Sequence, residues 1–265
     1  MVERMGMGSR KLDSACYTIA GLRALAQLAD ALGESNAAAY RTSADEVQAD
    51  FERDWWLEDE GLYADSMHSD GSLQLDDHWT VVLPIQLGLA APERAQRVMA
   101  RLERDFVNQW GLVHTRGDDE RVWTLPTGLM ALAAFQQGRA ERGLALTQAI
   151  AATTRYGSLG CFKELIPEGL CFIQLWSAAL YLQAIYEGLL GINPDAAAHS
   201  LQIAPCMPAA FPAVRLRNLV IGTHSLNLNI SPRALHLEHI HGSQPLAVTY
   251  RGITNSVAPG ETLTR

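Results

Sequence analysis

The chain has 265 residues, enough for one large domain or two smaller ones, and 48% of them are apolar, so a sizeable core is available. Its net charge of −8 argues against a nucleic-acid partner, whose phosphates require a basic surface. The four cysteines, Cys16, Cys161, Cys171 and Cys206, form no C-x-x-C pair and no disulfide framework, which suits a reducing, cytoplasmic setting. No apolar run reaches the roughly 18 residues that a membrane span needs. The opening "MVERMGMGSRKLD" lacks the apolar stretch of a secretory signal.

Residues 12–190 read as helices. In "LDSACYTIAGLRALAQLADALG", Leu12, Ile19, Leu22, Leu25, Ala29 and Leu32 recur at helical spacing, Gly33 closes the helix, and Ser35 is placed to cap the next. Tyr40, Ala44, Val47, Phe51 and Trp55 mark that second helix. A third is predicted over 78–89, with Trp79, Val82, Ile85 and Leu89 on one stripe. Pro92 suits the first turn of a fourth, along which Val98, Leu102 and Phe106 align. A fifth runs from Leu125 to Gln137 and stops at Gly138, a sixth covers 141–155, and a seventh covers 172–190. After Gly191 the period changes to two. "LQIAP", "VRLRNLVIG", "SLNLNIS", "ALHLEHIHG" and "PLAVTYRG" read as short antiparallel strands. The division falls at 1–195 for the helical domain and 196–265 for the β domain.

Connections between the helices alternate short and long. "GES", "AP" and "GRA" are short and imply antiparallel neighbours. The long ones cover about 57–77, "NQWGLVHTRGDDERVW" and "YGSLGCFKELIPEGL". In an up-down array all three, with the segment before the first helix, fall at one end. Long loops on a rigid scaffold carry function. That end collects Glu164, Glu168, Asp65, His68, His78, His114, Trp110, Trp123 and Glu3, with Trp176 opening the last helix. Trp110, Trp123 and Trp176 offer flat apolar faces to sugar rings, and Tyr63 and Asp65 of "YADS" offer partners for sugar hydroxyls; Trp55 and Trp79 read as packing. A solvated turn around "YADS", structural histidines and helix-dipole carboxylates at 164 and 168 are the plainer roles. In "HLEHIH", His239 and His241 are two apart on a strand and could share a zinc ion, but no third ligand is set by spacing.

Several stretches resemble the C-terminal half of the six-hairpin glycosidases, in particular the glycogen-debranching amylo-α-1,6-glucosidase group. "LDSACYTIAGLRALAQLADALGES" is similar to the hairpin helix after that group's acid loop. "RVWTLPTGLMALAAFQQGR" resembles its "VWP…T" helix at Trp123 and Thr127. "KELIP…IQLWSAA" resembles its "PEL…QAW" signature at Glu164, Leu165, Gln174 and Trp176. "GINPDAAAHSLQIAPCMPAAFPAVRLRNLVIG" is similar to its helix-to-β junction. The resemblance spans most of residues 1–230 and implies a mainly α chain: a partial (α/α)6 toroid of about seven antiparallel helices followed by a small antiparallel β domain. It implies inverting hydrolysis of an oligo- or polysaccharide, without cofactor or metal. Glu164 then serves as general base, and the acid lies in the loop before the first helix here, at Glu3. The family's "KDS" acid motif is missing there, and Asp13 is the alternative. Seven helices make a little over half of such a ring. Either a missing N-terminal half or a second chain is expected to complete it. Two further readings stay open: a non-catalytic carbohydrate-binding or scaffolding module, and an α-toroid of another trade, although no D-D-x-x-D metal box is present.

Overall fold

The computed structural model describes residues 6–265. Seven α-helices and sixteen strands occur among them. Helix α1, Leu12–Leu32, buries Leu12, Cys16, Ile19, Ala26 and Ala29 and ends at Gly33. Gly33 takes φ 71°, the left-handed turn that favours glycine, and its N–H returns to the carbonyls of the last helical turn. Helix α2, Ala37–Asp54, packs along α1. It starts after Asn36 rather than after a capping Ser35, and no side chain caps it.

The single helix predicted over 78–89 is instead a 3-10 turn, Trp79–Val82, that runs into a short helix α3, Leu83–Gln86. Pro84 explains the break. It has no N–H to donate back into a continuous α-helix and is accommodated only in a first turn, so the helix restarts one residue before it. Helix α4, Pro92–Asp105, has its proline in the expected first turn and buries Val98 and Leu102, with Phe106 just beyond. Helix α5, Thr124–Gln136, is buried on nearly every side and lies against α3, against α6 (Ala140–Ala152) and against α7 (Leu175–Gln183). At Gly128 of α5 an added Cβ would stand 2.7 Å from the Leu180 Cβ of α7, so glycine sets how closely these two helices approach. Helix α7 starts at Leu175 rather than at 172, after Gln174 in an extended conformation, and it continues as a π-helical segment, Ala184–Leu189.

The long connections also contain strands, so the mainly α expectation holds only in part: helix accounts for 40% of residues and strand for 26%. The C-terminal part holds two four-stranded sheets. One runs in the order Ile253–Val257, Leu246–Tyr250, Ser200–Ile203, Ile192–Asp195. The other runs Val214–Ile221, His224–Ile230, Leu235–His241, Thr262–Thr264. The second is antiparallel throughout. In the first, Ser200–Ile203 pairs in parallel with Ala247–Tyr250, against the expected all-antiparallel arrangement. The chain leaves the first sheet, builds three strands of the second, and returns in its original direction, which is the crossover that a parallel pair requires. Period-two burial is clear in His224–Ile230 and Leu235–His239. Their inward rows join one apolar cluster that extends into the helices.

Candidate active-site rim

The long loops and the approach to α1 are stitched together by short strands. Arg10–Lys11 pairs with Ser66–Met67, which pairs with Leu73–Gln74. Gly8 donates its N–H to Ser66 Oγ (2.9 Å), and Leu12 donates to the Asp65 carbonyl (3.0 Å). Next, His78 bridges to Thr115, and Arg116 N–H reaches the Asp77 carbonyl (3.0 Å). Val113–Thr115 then pairs with Asp119–Trp123, which pairs with Leu165–Ile166. One continuous rim therefore joins residue 8 to residue 166. Glu3 lies outside the described residues.

Asp65 is the keystone of the first half. It is 1% exposed. One carboxylate oxygen accepts the N–H of Asp76 (2.7 Å) and of His78 (3.3 Å), and the other accepts the Thr80 hydroxyl (3.2 Å). Burial pushes its pKa up to about 7 despite those three bonds. Tyr63 lies in the core beneath, with no exposed surface; its hydroxyl donates to Glu52 (2.7 Å) and its ring stacks on Phe51 (5.0 Å). Asp13 sits in the first turn of α1, where its carboxylate accepts the Ser14 N–H (2.7 Å).

A row of rings follows. Trp79 contacts His78 (5.5 Å), His78 meets His114 edge-on (4.6 Å, 86°), and His114 lies against Trp123 (5.1 Å). The Arg121 guanidinium stands 5.7 Å from the Trp123 ring. Arg121 is bound to Asp119 (2.7 Å), and Glu168 and Glu164 add further negative potential at it. Glu168 itself is exposed.

Glu164 is held from both sides through its backbone. Its N–H donates to the carbonyls of Gly169 (3.1 Å) and Leu170 (3.0 Å), and its own carbonyl accepts the Thr124 N–H (2.9 Å). The Lys163 carbonyl accepts the hydroxyls of Ser177 (2.8 Å) and Thr124 (3.1 Å), and the Lys163 N–H donates to Thr153 (3.2 Å). The Lys163 ammonium is fully buried and donates to the carbonyls of Ser158 (2.7 Å) and Cys161. Helices α5 and α7 and the end of α6 thus clamp this loop. The Glu164 carboxylate, partly buried, makes no hydrogen bond or ion pair with the described residues. Trp176 lies in the first turn of α7, and its ring N–H and that of Trp123 are buried without a hydrogen-bond partner among the described residues. Trp110 stands apart in the loop after α4, 42% exposed.

Lys163, Thr124, Ser177 and Thr153 were not singled out by sequence reasoning. Only the basic residue next to Glu164 in "KELIP" offered a signal. The zinc reading of His239 and His241 is corrected: a bulge separates the two, and both His239 ring nitrogens are taken, by His224 (3.1 Å) and by the Val257 carbonyl (2.9 Å). Among the described residues no group of three His, Cys, Asp or Glu could hold a metal ion, and no helix is long and apolar enough to cross a membrane.

Residues 9–116 match the mannosylglycerate hydrolase MGH1-like glycoside hydrolase domain. No curated protein matches the chain in sequence. Among solved structures, the mannosylglycerate hydrolase of Thermus thermophilus in complex with glucose is similar over 65% of this chain and 47% of its own, with TM-score 0.53 and 18% identity. A glycosidase variant in complex with glucose is similar over 69% of this chain and 52% of its own (TM-score 0.54, 18% identity). The rhamnosidase of a Bacillus species is similar over 89% of this chain and 26% of its own (TM-score 0.60, 18% identity). The chain spans about half the length of the Thermus enzyme. Over the part that matches, the chain therefore shares the fold of these glycosidases, and the domain model that it matches is the MGH1-like one.

Proposed function

We propose that this chain is part of an inverting glycoside hydrolase that cleaves an oligo- or polysaccharide, with Glu164 as general base. Residues 1–195 form its catalytic-type portion and 196–265 a β domain, into whose first sheet the strand Ile192–Asp195 pairs. Inversion needs one carboxylate to activate water and a second to protonate the leaving oxygen, about 6.5–9.5 Å apart. Glu164 removes a proton from water, the water oxygen bonds the anomeric carbon, and the glycosidic oxygen leaves with a proton from the acid. Glu3 is the proposed acid and Asp13 the alternative. Trp123, Trp176 and His114 provide the sugar contacts on the rim.

The observation that carries this reading is the clamp on residues 163–165. A loop whose carbonyls are bonded by two helices, next to a carboxylate left unbonded, is what a positioned base requires. The test is Glu164→Gln in the complete protein. Hydrolysis is expected to fall about 10²–10⁴-fold with binding largely kept; near-normal turnover removes Glu164 from the mechanism. Proton NMR of the first product separates inversion from retention. Mannosylglycerate assayed beside an α-1,6-branched dextrin separates the MGH1-like from the debranching specificity. One observation favours a non-catalytic carbohydrate-binding module instead: Asp13 and Asp65 are already engaged by their neighbours. Calorimetric binding without turnover in the complete protein would support it.

A further inference from the structure

Beside Ile166 and Pro167 of the Glu164 loop lies a cleft of about 330 Å³. One wall is α6, through Gln148 and Ala149. Gln109 and Trp110 from the loop after α4 also line it, with Tyr156 and Ile166. The cleft is not part of the ring row from Trp79 to Trp123.

Its chemistry is unusual for this molecule. Charged residues make up 19% of the chain and net −8, yet none of the residues lining this cleft is charged. A charged ligand would find no counter-charge there and would lose its hydration. Two aromatic side chains line the space, and Trp110 is among the most exposed aromatics of the protein. The amides of Gln109 and Gln148 make no hydrogen bond with any described residue. Each therefore has two donors and an acceptor available. Flat apolar faces together with free neutral donors and acceptors suit a ligand that is apolar on its face and rich in hydroxyls on its edge. A neutral pyranose ring has that form. The volume lies at the lower end of the range for small-molecule sites, which suits a single ring rather than a polymer.

We infer that the cleft between Trp110 and α6 is a second saccharide site, which holds one neutral sugar ring beside the Glu164 segment. Ile166, in its wall, is paired with Val122 and stands two residues from Glu164. Tyr156 donates its hydroxyl to the Leu165 carbonyl (3.4 Å) and holds the Lys163 ammonium 5.6 Å from its ring centre. A ring seated here touches the residues that fix where Glu164 stands, so occupancy and the order of that loop are linked. The site does not require Glu164 to be catalytic.

The experiment is calorimetry and saturation-transfer NMR on the full chain carrying Glu164→Gln, so that nothing is consumed. The probes are methyl α-mannoside, methyl α-glucoside and maltotriose, with sodium glucuronate as the charged control. A neutral probe is expected to bind in the millimolar range, with no binding of glucuronate. Trp110→Ala is expected to weaken the neutral probe about tenfold, which is about 1.4 kcal/mol. Gln148→Ala should weaken it several-fold, and Trp110→Phe should keep most of the affinity. Trp110 and Gln148 are exposed, so circular dichroism is expected to report an unchanged fold. Two results overturn the inference. In one, no neutral probe binds up to about 50 mM. In the other, Trp123→Ala weakens binding while Trp110→Ala does not, which puts the sugar on the rim alone. The rim hypothesis is tested separately by turnover.

Discussion

Asp65 fixes the course of a loop because one of its carboxylate oxygens accepts two backbone N–H groups, of Asp76 and His78, at the turn toward α3. Asp65→Ala removes that acceptor from both, at an expected cost of about 1–3 kcal/mol in urea unfolding. Its raised pKa sets a sign. The folded protein holds this proton more tightly than the unfolded chain, so the group favours folding below pH 3.8, and that contribution fades as pH rises through about 7. Asp65→Asn keeps the acceptor and removes the titration. Wild type is expected to lose stability relative to Asp65→Asn across that window, and parallel curves would refute the assignment. The opposite sign applies at His224. The Val257 carbonyl can only accept, so His239 Nδ1 donates to it; His224 Nδ1 then donates to His239 (3.1 Å), and His199 Nδ1 to His224 (2.8 Å). Burial, then the neighbouring His239 and His199, lower the His224 pKa below 6.5. This group favours folding above pH 6.5, and the contribution is lost as pH falls through its folded value. Wild type is expected to lose more stability than His224→Gln between neutral pH and about pH 5, measured by the same unfolding.

The elements divide into those set by local pattern and those set by partners. Helices α1, α2, α4, α5 and α6 end within a few residues of where periodicity, Gly33, Pro92 and Gly138 put them, because those signals act within one turn. The stretch 78–89 has a helical stripe but divides at Pro84, whose missing N–H outweighs that stripe. The rim strands were not legible, since two-residue strands such as Arg10–Lys11 have no periodicity and pair with residues more than fifty positions away. The clamp on 163–165 is of the same kind. Thr124→Val together with Ser177→Ala leaves the Lys163 carbonyl without its two hydroxyl donors. Hydrogen exchange is expected to speed up at the amides of 163–170 and to stay slow in the middle of α5. Equal acceleration of both would mean that the clamp only stabilises the whole fold.

At the scale of the molecule, the first and last helices carry exposed apolar faces. Tyr17, Leu25, Leu28 and Leu32 lie along α1; Leu175 and Leu182 lie on α7, followed by Tyr186. Leu28, Leu32 and Leu175 are 55%, 68% and 82% exposed, too much along two helices to be scattered surface residues. Sedimentation velocity is expected to show self-association growing from about 1 to 50 μM, reduced by Leu28→Gln with Leu32→Gln. A monomer throughout that range would show that these faces are tolerated in water.

The sequence by itself determined most of the helices, the glycine stop at Gly33, the period-two strands after Gly191 and the alternation of short and long connections. All of these are encoded in residues within a turn or a strand of one another. The tertiary structure alone decided that Asp65 is buried and Tyr63 belongs to the core, that Lys163, Thr124 and Ser177 hold the Glu164 loop, that one sheet contains a parallel pair, and that three histidines form a chain. Each of those depends on pairing between distant segments, and the free energy of such contacts is set by which groups lose water together rather than by spacing along the chain.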